Sequence, residues 1–239
     1  SLTIDLQFEK FGSYREFKHG TLGEQYYNNK ADTYAKMLAI TRQDIINDDL
    51  GALTSVPQRL GRGSALKLND IFWTAFLDNS STSWFHANNN NVNTGVADMT
   101  TGGLAATETI FMNQTDYDGK PLGILPAILL VPTALKTSAR TLMTSETLID
   151  GTATGTQGSK NVFAGRFRVE SSPYMSNASY TGYSAAAWYM LADPQDLPFI
   201  EIAALNGRVE PVVETADAAF NVLGVEMRGY SDIGVTKQE

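Results

Sequence analysis

Cysteine is absent from this chain of 239 residues, and histidine occurs only twice. No disulfide can staple the fold, no thiolate can hold a metal or attack a substrate, and the lack of cysteine leaves the compartment open. Long apolar runs are missing too: none approaches the roughly 18 residues of a membrane helix, so no membrane partner is expected. Ser1 to Lys10 lacks the basic head and apolar middle of a signal peptide. Basic residues are outnumbered, 18 Lys and Arg against 26 Asp and Glu, for a net charge of −8. That balance argues against broad, tight wrapping of nucleic acid, but suits a surface that faces DNA without adhering to it. With 43% hydrophobic and 18% charged residues the chain is globular, and its length suits one large domain or two small ones. No repeat of roughly 20–50 residues is found.

Catalytic signatures are equally scarce. His19 and His86 lie near neither a GxSxG elbow nor an HExxH pair. Gly61-Arg62-Gly63-Ser64 is too short a glycine signal for a nucleotide, and Gly151 to Lys160 lacks the phosphate-cradling arrangement. Asp116-Tyr117-Asp118-Gly119-Lys120-Pro121 is turn chemistry whose acids do not continue into a calcium loop. The aromatics are spread among strands, which favours core over a base-stacking platform. Ser-Lys or paired-carboxylate chemistry stays open only because nothing selects a pair. The expectation is therefore no enzyme: no catalytic, cofactor-binding or metal-binding residue, and no cofactor.

What the sequence does contain is organised around Thr41 to Asn79. Thr41-Arg42-Gln43-Asp44 and Ser55-Val56-Pro57-Gln58 both have the form of a capping box, and Pro57 suits a first helical turn. Two helical pieces are predicted, about 44–53 and about 56–78, the second carrying Leu68, Ile71, Phe72, Ala75 and Phe76 as an apolar stripe.

Before them, Ile4 to Phe8 alternates like a strand, Gly20 to Glu24 resembles a hairpin tip, and Tyr26 to Ile40 returns with Tyr34 and Leu38 as anchors. Arms of about 12–15 residues project roughly 40–50 Å. A lone ribbon of that length is marginal in water. The sequence offers no second sheet to receive it, so a neighbouring subunit is the expected bed; a hairpin folded onto its own domain is the alternative.

After the spine come an exposed Asn-rich loop over 80–101 and a helix from Leu104 to Asn113. Ile128 to Val131 reads as a buried strand, and from Thr133 a helix carries Leu135, Ala139 and Leu142. Strands follow at Phe163–Val169, Ala185–Leu191, Phe199–Ala204, Val209–Glu214 and Ala219–Met227. The last changes phase at Leu223-Gly224, where a bulge would absorb the extra residue. Tyr230 to Val235 extends the edge.

In this order the elements resemble a known family. The segments ITRQDIINDDLGALTSVPQRLGRGSALKLNDIFWTAFLDN, DYDGKPLGILPAILLVPTALKTSARTLM and FNVLGVEMRGYSDIGV, with the hairpin ahead of them, resemble the major head subunit of Mu-like tailed phages, over about Phe11 to Val235. The resemblance implies an α+β protein of the HK97-type capsid fold. Residues 1–40 become an N-terminal remnant and the extended loop that lies across an adjacent subunit. Residues 41–99 become a peripheral domain with its spine helix, 100–195 an axial domain, and 196–239 the peripheral C-terminal strands. The implied function is a structural major capsid protein that self-assembles into pentamers and hexamers of an icosahedral head enclosing DNA. It is placed in the virion capsid after assembly in the host cytoplasm.

Implied partners are further copies of the chain, portal, scaffold and decoration proteins, and packaged double-stranded DNA by non-specific proximity. The family's N-terminal arm is missing, which points to a maturation cut or an artificial boundary at Ser1. Relatives that crosslink use a Lys, an Asn and an acid; Lys10 and Lys18 are imaginable donors, but no motif places their partners. Two rivals stand beside this reading: an encapsulin-like cellular compartment, and a hydrolase with an unrecognised carboxylate site.

Overall fold

The computed structural model of the chain describes residues 2–4, 22–24, 29–47, 51–79, 84–96, 98–116, 119–148, 158–218 and 223–237. In chain order they form β1 (Leu2–Ile4), β2 (Leu22–Glu24), β3 (Asp32–Thr41), α1 (Arg42–Ile46), α2 (Ala52–Leu77), α3 (Thr101–Met112), β4 (Pro126–Pro132), α4 (Lys136–Thr144), β5 (Thr147–Leu148), β6 (Ser159–Lys160), β7 (Arg168–Ser172), β8 (Tyr189–Ala192), β9 (Ile200–Ala204), β10 (Val212–Asp217) and β11 (Gly224–Lys237). The fold is α+β. No helix among the described residues is long and apolar enough to cross a membrane.

The first capping box forms as read. The Thr41 hydroxyl accepts the Asp44 N–H at 3.3 Å, and the Asp44 carboxylate accepts the Thr41 N–H at 3.2 Å. The Thr41 hydroxyl, donating to the Asp44 carboxylate at 2.6 Å, and then the Thr41 N–H hold Asp44 below the usual carboxylate range. The second box does not start a helix. α2 begins four residues earlier, after Gly51 in the left-handed region at φ 61, so Ser55 already donates its N–H to the Gly51 carbonyl at 3.0 Å. Pro57 therefore sits inside α2, where its ring removes one helical hydrogen bond. With 26 residues, α2 is about 39 Å long. Its buried face carries Leu60, Trp73, Phe76 and Leu77. Of the predicted stripe only Phe76 is fully buried; Leu68, Ile71, Phe72 and Ala75 are half-buried.

One sheet is built on β11. It pairs antiparallel with β10 (Tyr230 opposite Val212), with β3 (Ile233 opposite Asp32 through Gly224 opposite Thr41) and with β9 (Lys237 opposite Ile200). Three expectations change here. Residues 32–41 of the returning arm are received by a sheet of their own chain. Tyr230 to Val235 lies inside that sheet, paired with β3 and β9, and is not an edge. The phase change at Leu223-Gly224 is the start of β11, and residues 219–222 of the expected strand lie outside the described residues. β3 lies at the rim, with no strand beyond it among the described residues. β1 pairs antiparallel with β2, which puts Leu22–Glu24 in a ladder and not at a hairpin tip. The remainder of the expected ribbon, 5–21 and 25–28, lies outside the described residues.

A second sheet has β4 at its centre, parallel to β7 and antiparallel to β8. Leu129 and Val131 are fully buried, as suits a strand covered on both faces. α4 lays Ala139 and Met143 on that core, with Leu135 and Leu142 packed beside them. The alternation at Phe163–Val169 is not a strand: Gly165, at φ 72, turns the chain so that Phe163 and Phe167 both enter the core, and β7 starts only at Arg168. Asn161 supports this turn from within. Its buried amide donates to the Leu142 and Ser145 carbonyls at 2.5 and 2.8 Å, and its side-chain oxygen accepts the Phe163 N–H at 2.9 Å. The strand expected at 185–191 shortens to β8.

A candidate assembly surface

Those residues singled out for chemistry that lie among the described residues do not converge. His86 caps a short turn, its Nδ1 accepting the Asn88 N–H at 3.1 Å. Asp116 closes its own turn by accepting the Lys120 N–H at 2.7 Å, whereas Asp118 lies outside the described residues, as do His19, Lys10, Lys18 and residues 151–157. Gly61 to Ser64 is plain helix within α2. Among the described residues no group of three His, Asp or Glu side chains is placed to hold a metal.

The strongest polar cluster is a structural clamp. Asp70 on α2 accepts from Lys67 Nζ at 2.7 Å and from the Tyr180 hydroxyl at 2.9 Å. These two hydrogen bonds hold its carboxyl below the usual range. Desolvation, then the Asp70 contact, pushes the Tyr180 hydroxyl up to about 12. Two residues on, Gly182 sits at φ 83 so close to α2 that a Cβ would strike the Leu77 carbonyl oxygen. Below this clamp, Phe76 is encircled by rings: Trp73 at 5.6 Å, Tyr189 at 5.0 Å, Phe199 at 5.8 Å and Phe85 at 6.1 Å, all edge-on. The long helix is thereby fastened to both sheets, because Tyr189 belongs to β8 and Phe199 leads into β9.

At its other end α2 lies on the first sheet. Leu60 rests against Gly229, where an added Cβ would stand 3.3 Å from it, and Ser64 donates or accepts across a 3.2 Å hydroxyl contact with Ser231. Beside this contact a cleft of about 480 Å³ remains, lined by Leu38, Leu60, Gly63 and Tyr230 and by the exposed cations Lys36 and Arg59. Large apolar side chains are exposed elsewhere on several sides: Leu223 at 73%, Val162 at 70%, Ile46 at 65%, Leu125 at 62% and Met37 at 61%. These side chains are spread over a sheet end, a strand rim and loops around the second sheet. Sequence reasoning missed these surfaces, since exposure depends on the pairing of β3 with a strand far along the chain.

A sequence model of the family described as phage capsid protein matches residues 26–239. No curated protein matches. Among solved structures the chain is similar to the capsid of Ralstonia phage GP4, at 14% identity and a TM-score of 0.63, covering 99% of this chain and 78% of that one. It is also similar to the capsid of cyanophage P-SCSP1u (11%, TM-score 0.53, covering 100% and 79%) and to the capsid asymmetric unit of cyanophage Pam1 (13%, TM-score 0.53, covering 100% and 80%).

Proposed function

This chain belongs to the phage capsid protein family, and from that premise we propose that it is the major head subunit of a Mu-like tailed phage, assembling into pentamers and hexamers that enclose double-stranded DNA. It is a structural, non-enzymatic protein of the virion capsid, with an α+β fold of the HK97 type. The observation that carries the reading is the family match over 26–239, which spans both sheets and the long helix. The division into an extended loop (1–40), a peripheral domain (41–99 with 196–239) and an axial domain (100–195) is proposed on the same basis. The two sheets support it, one built on β11 with α2 and one on β4. Residues 32–41 serve twice, as the root of the loop and as the rim of the peripheral sheet.

Function then follows from surface. Many weak contacts between flat subunits sum to a strong shell through multivalency, and head-to-tail contacts that close produce rings. The net charge of −8 limits adhesion of packaged DNA to the wall. Portal, scaffold and decoration proteins are the further partners proposed. Electron microscopy of the purified chain tests the reading: shells or rings of five and six are expected, and a population of plain monomers across protein and salt concentrations would refute it.

A further inference from the structure

The cleft of about 480 Å³ between α2 and β3–β11 is lined by apolar side chains and by cations. Gly63 sits in mid-helix, where glycine costs stability relative to alanine, yet no described residue crowds it. An added Cβ there would meet no atom within 4 Å. Its absence keeps the cleft open. Lys36 and Arg59, both lining the cleft, form no ion pair among the described residues. The site thus combines apolar walls with positive charge that is uncompensated, in a chain whose overall charge is −8.

The complementary surface is on the same chain. Immediately before β11 stands Leu223, 73% exposed, next to α1, whose Ile46 is 65% exposed. The Arg42 N–H donates to the Leu223 carbonyl at 2.8 Å and ties the two together. Exposed Asp217, Asp44 and Arg42 flank them. This end is apolar with two acids against one cation, whereas the cleft is apolar and cationic. Opposite charge around matched apolar surface selects partner and orientation, and a patch and a pocket on different parts of one surface make a head-to-tail contact.

Resting on the capsid reading above, we infer that the cleft receives the Leu223–Ile46 end of a second copy, with Asp217 brought to Lys36 and Arg59. Gly63 is kept small so that the incoming leucine can approach the helix.

The cysteine-free sequence permits a direct test. Gly63→Cys and Leu223→Cys variants are co-assembled, oxidised and run on a denaturing gel. The expected result is a disulfide-linked dimer in the mixture and none from either variant alone. In parallel, Gly63→Leu fills the cleft with a side chain: it is expected to lose rings and shells while its circular dichroism and thermal midpoint stay at or above those of the parent chain. If the parent assembles and the mixture gives no dimer, or Gly63→Leu assembles as well as the parent, the cleft assignment is wrong and the capsid reading stands. If the parent itself forms no rings or shells, the capsid reading fails and this inference with it.

Discussion

Phe76→Ala is the substitution that most directly weighs the aromatic ring cluster. The side chain is 1% exposed, so returning its area to water forfeits about 2 kcal/mol of transfer free energy. The hole left behind is on the order of 100 Å³ if nothing moves, which at about 24 cal/mol per Å³ adds about 2.4 kcal/mol. Little collapse is expected, because the four edge-on rings are held on α2 itself, the loop at Phe85, β8 and the lead into β9, Phe72 stacks beside them at 6.3 Å, and they cannot all advance. The sum, about 4 kcal/mol, lies within the range of about 3–5 for large aromatic truncations. Urea denaturation followed by tryptophan fluorescence reads it, since Trp73 is one of the four rings. Protein concentration must be fixed, because assembly stabilises by mass action. Phe76→Leu, which refills much of the hole, is expected to lose about half as much. A loss below about 1.5 kcal/mol for the alanine variant would mean the cluster relaxes around the gap, and the picture of a rigid fastening between helix and sheets would be abandoned.

Gly182→Ala is expected to cost at least about 2 kcal/mol, since it combines a left-handed backbone with a collision against the Leu77 carbonyl; thermal melting checks it, and a neutral result refutes the close approach. Asn161→Ala leaves two carbonyls and one N–H in the core of the second sheet without their partner, a loss of about 3 kcal/mol by the same measurement. The Asp70 clamp predicts two pH limits. Asp70 is depressed in the fold, so its contribution is present above its unfolded value of about 3.9 and is lost as pH falls through the lower folded value; Asp70→Asn should flatten this acid limb in denaturation curves taken across pH. Tyr180 is raised to about 12, so its contribution holds below its unfolded value of about 10 and disappears as pH climbs between the two. Burial raises Tyr189 as well, so ultraviolet titration should show more than one late-titrating tyrosine, of which Tyr180→Phe removes one.

Local signals were legible wherever the chain settles its own hydrogen bonds. The Thr41–Asp44 box and the buried run at Ile128–Val131 form at the positions read, and the helix expected from Leu104 starts three residues earlier, at Thr101. The misreadings have a common cause. Ser55–Gln58 has the composition of a helix start but lies inside α2, because Gly51 takes the left-handed conformation upstream. Phe163–Val169 alternates like a strand, but the turn at Gly165 carries two aromatics to the same core. The largest gap was the bed of residues 32–41. Its partner, 224–233, is fixed by register and by the packing of α2, and nothing near residue 32 announces either. The exposed side chains and the cleft emerge only from tertiary packing.

The pairing of Asp32 with Ile233 sets a timetable. At the usual pace of about 5–20 residues per second, the ribosome needs roughly 10–40 s after making the first strand of this ladder to make its mate. For that interval β3 and the apolar underside of α2 are uncovered, whereas β4, α4, β7 and β8 can already close on one another. The sheet built on β11 therefore closes late, and a crowded polysome is where mispairing of its exposed strand would begin.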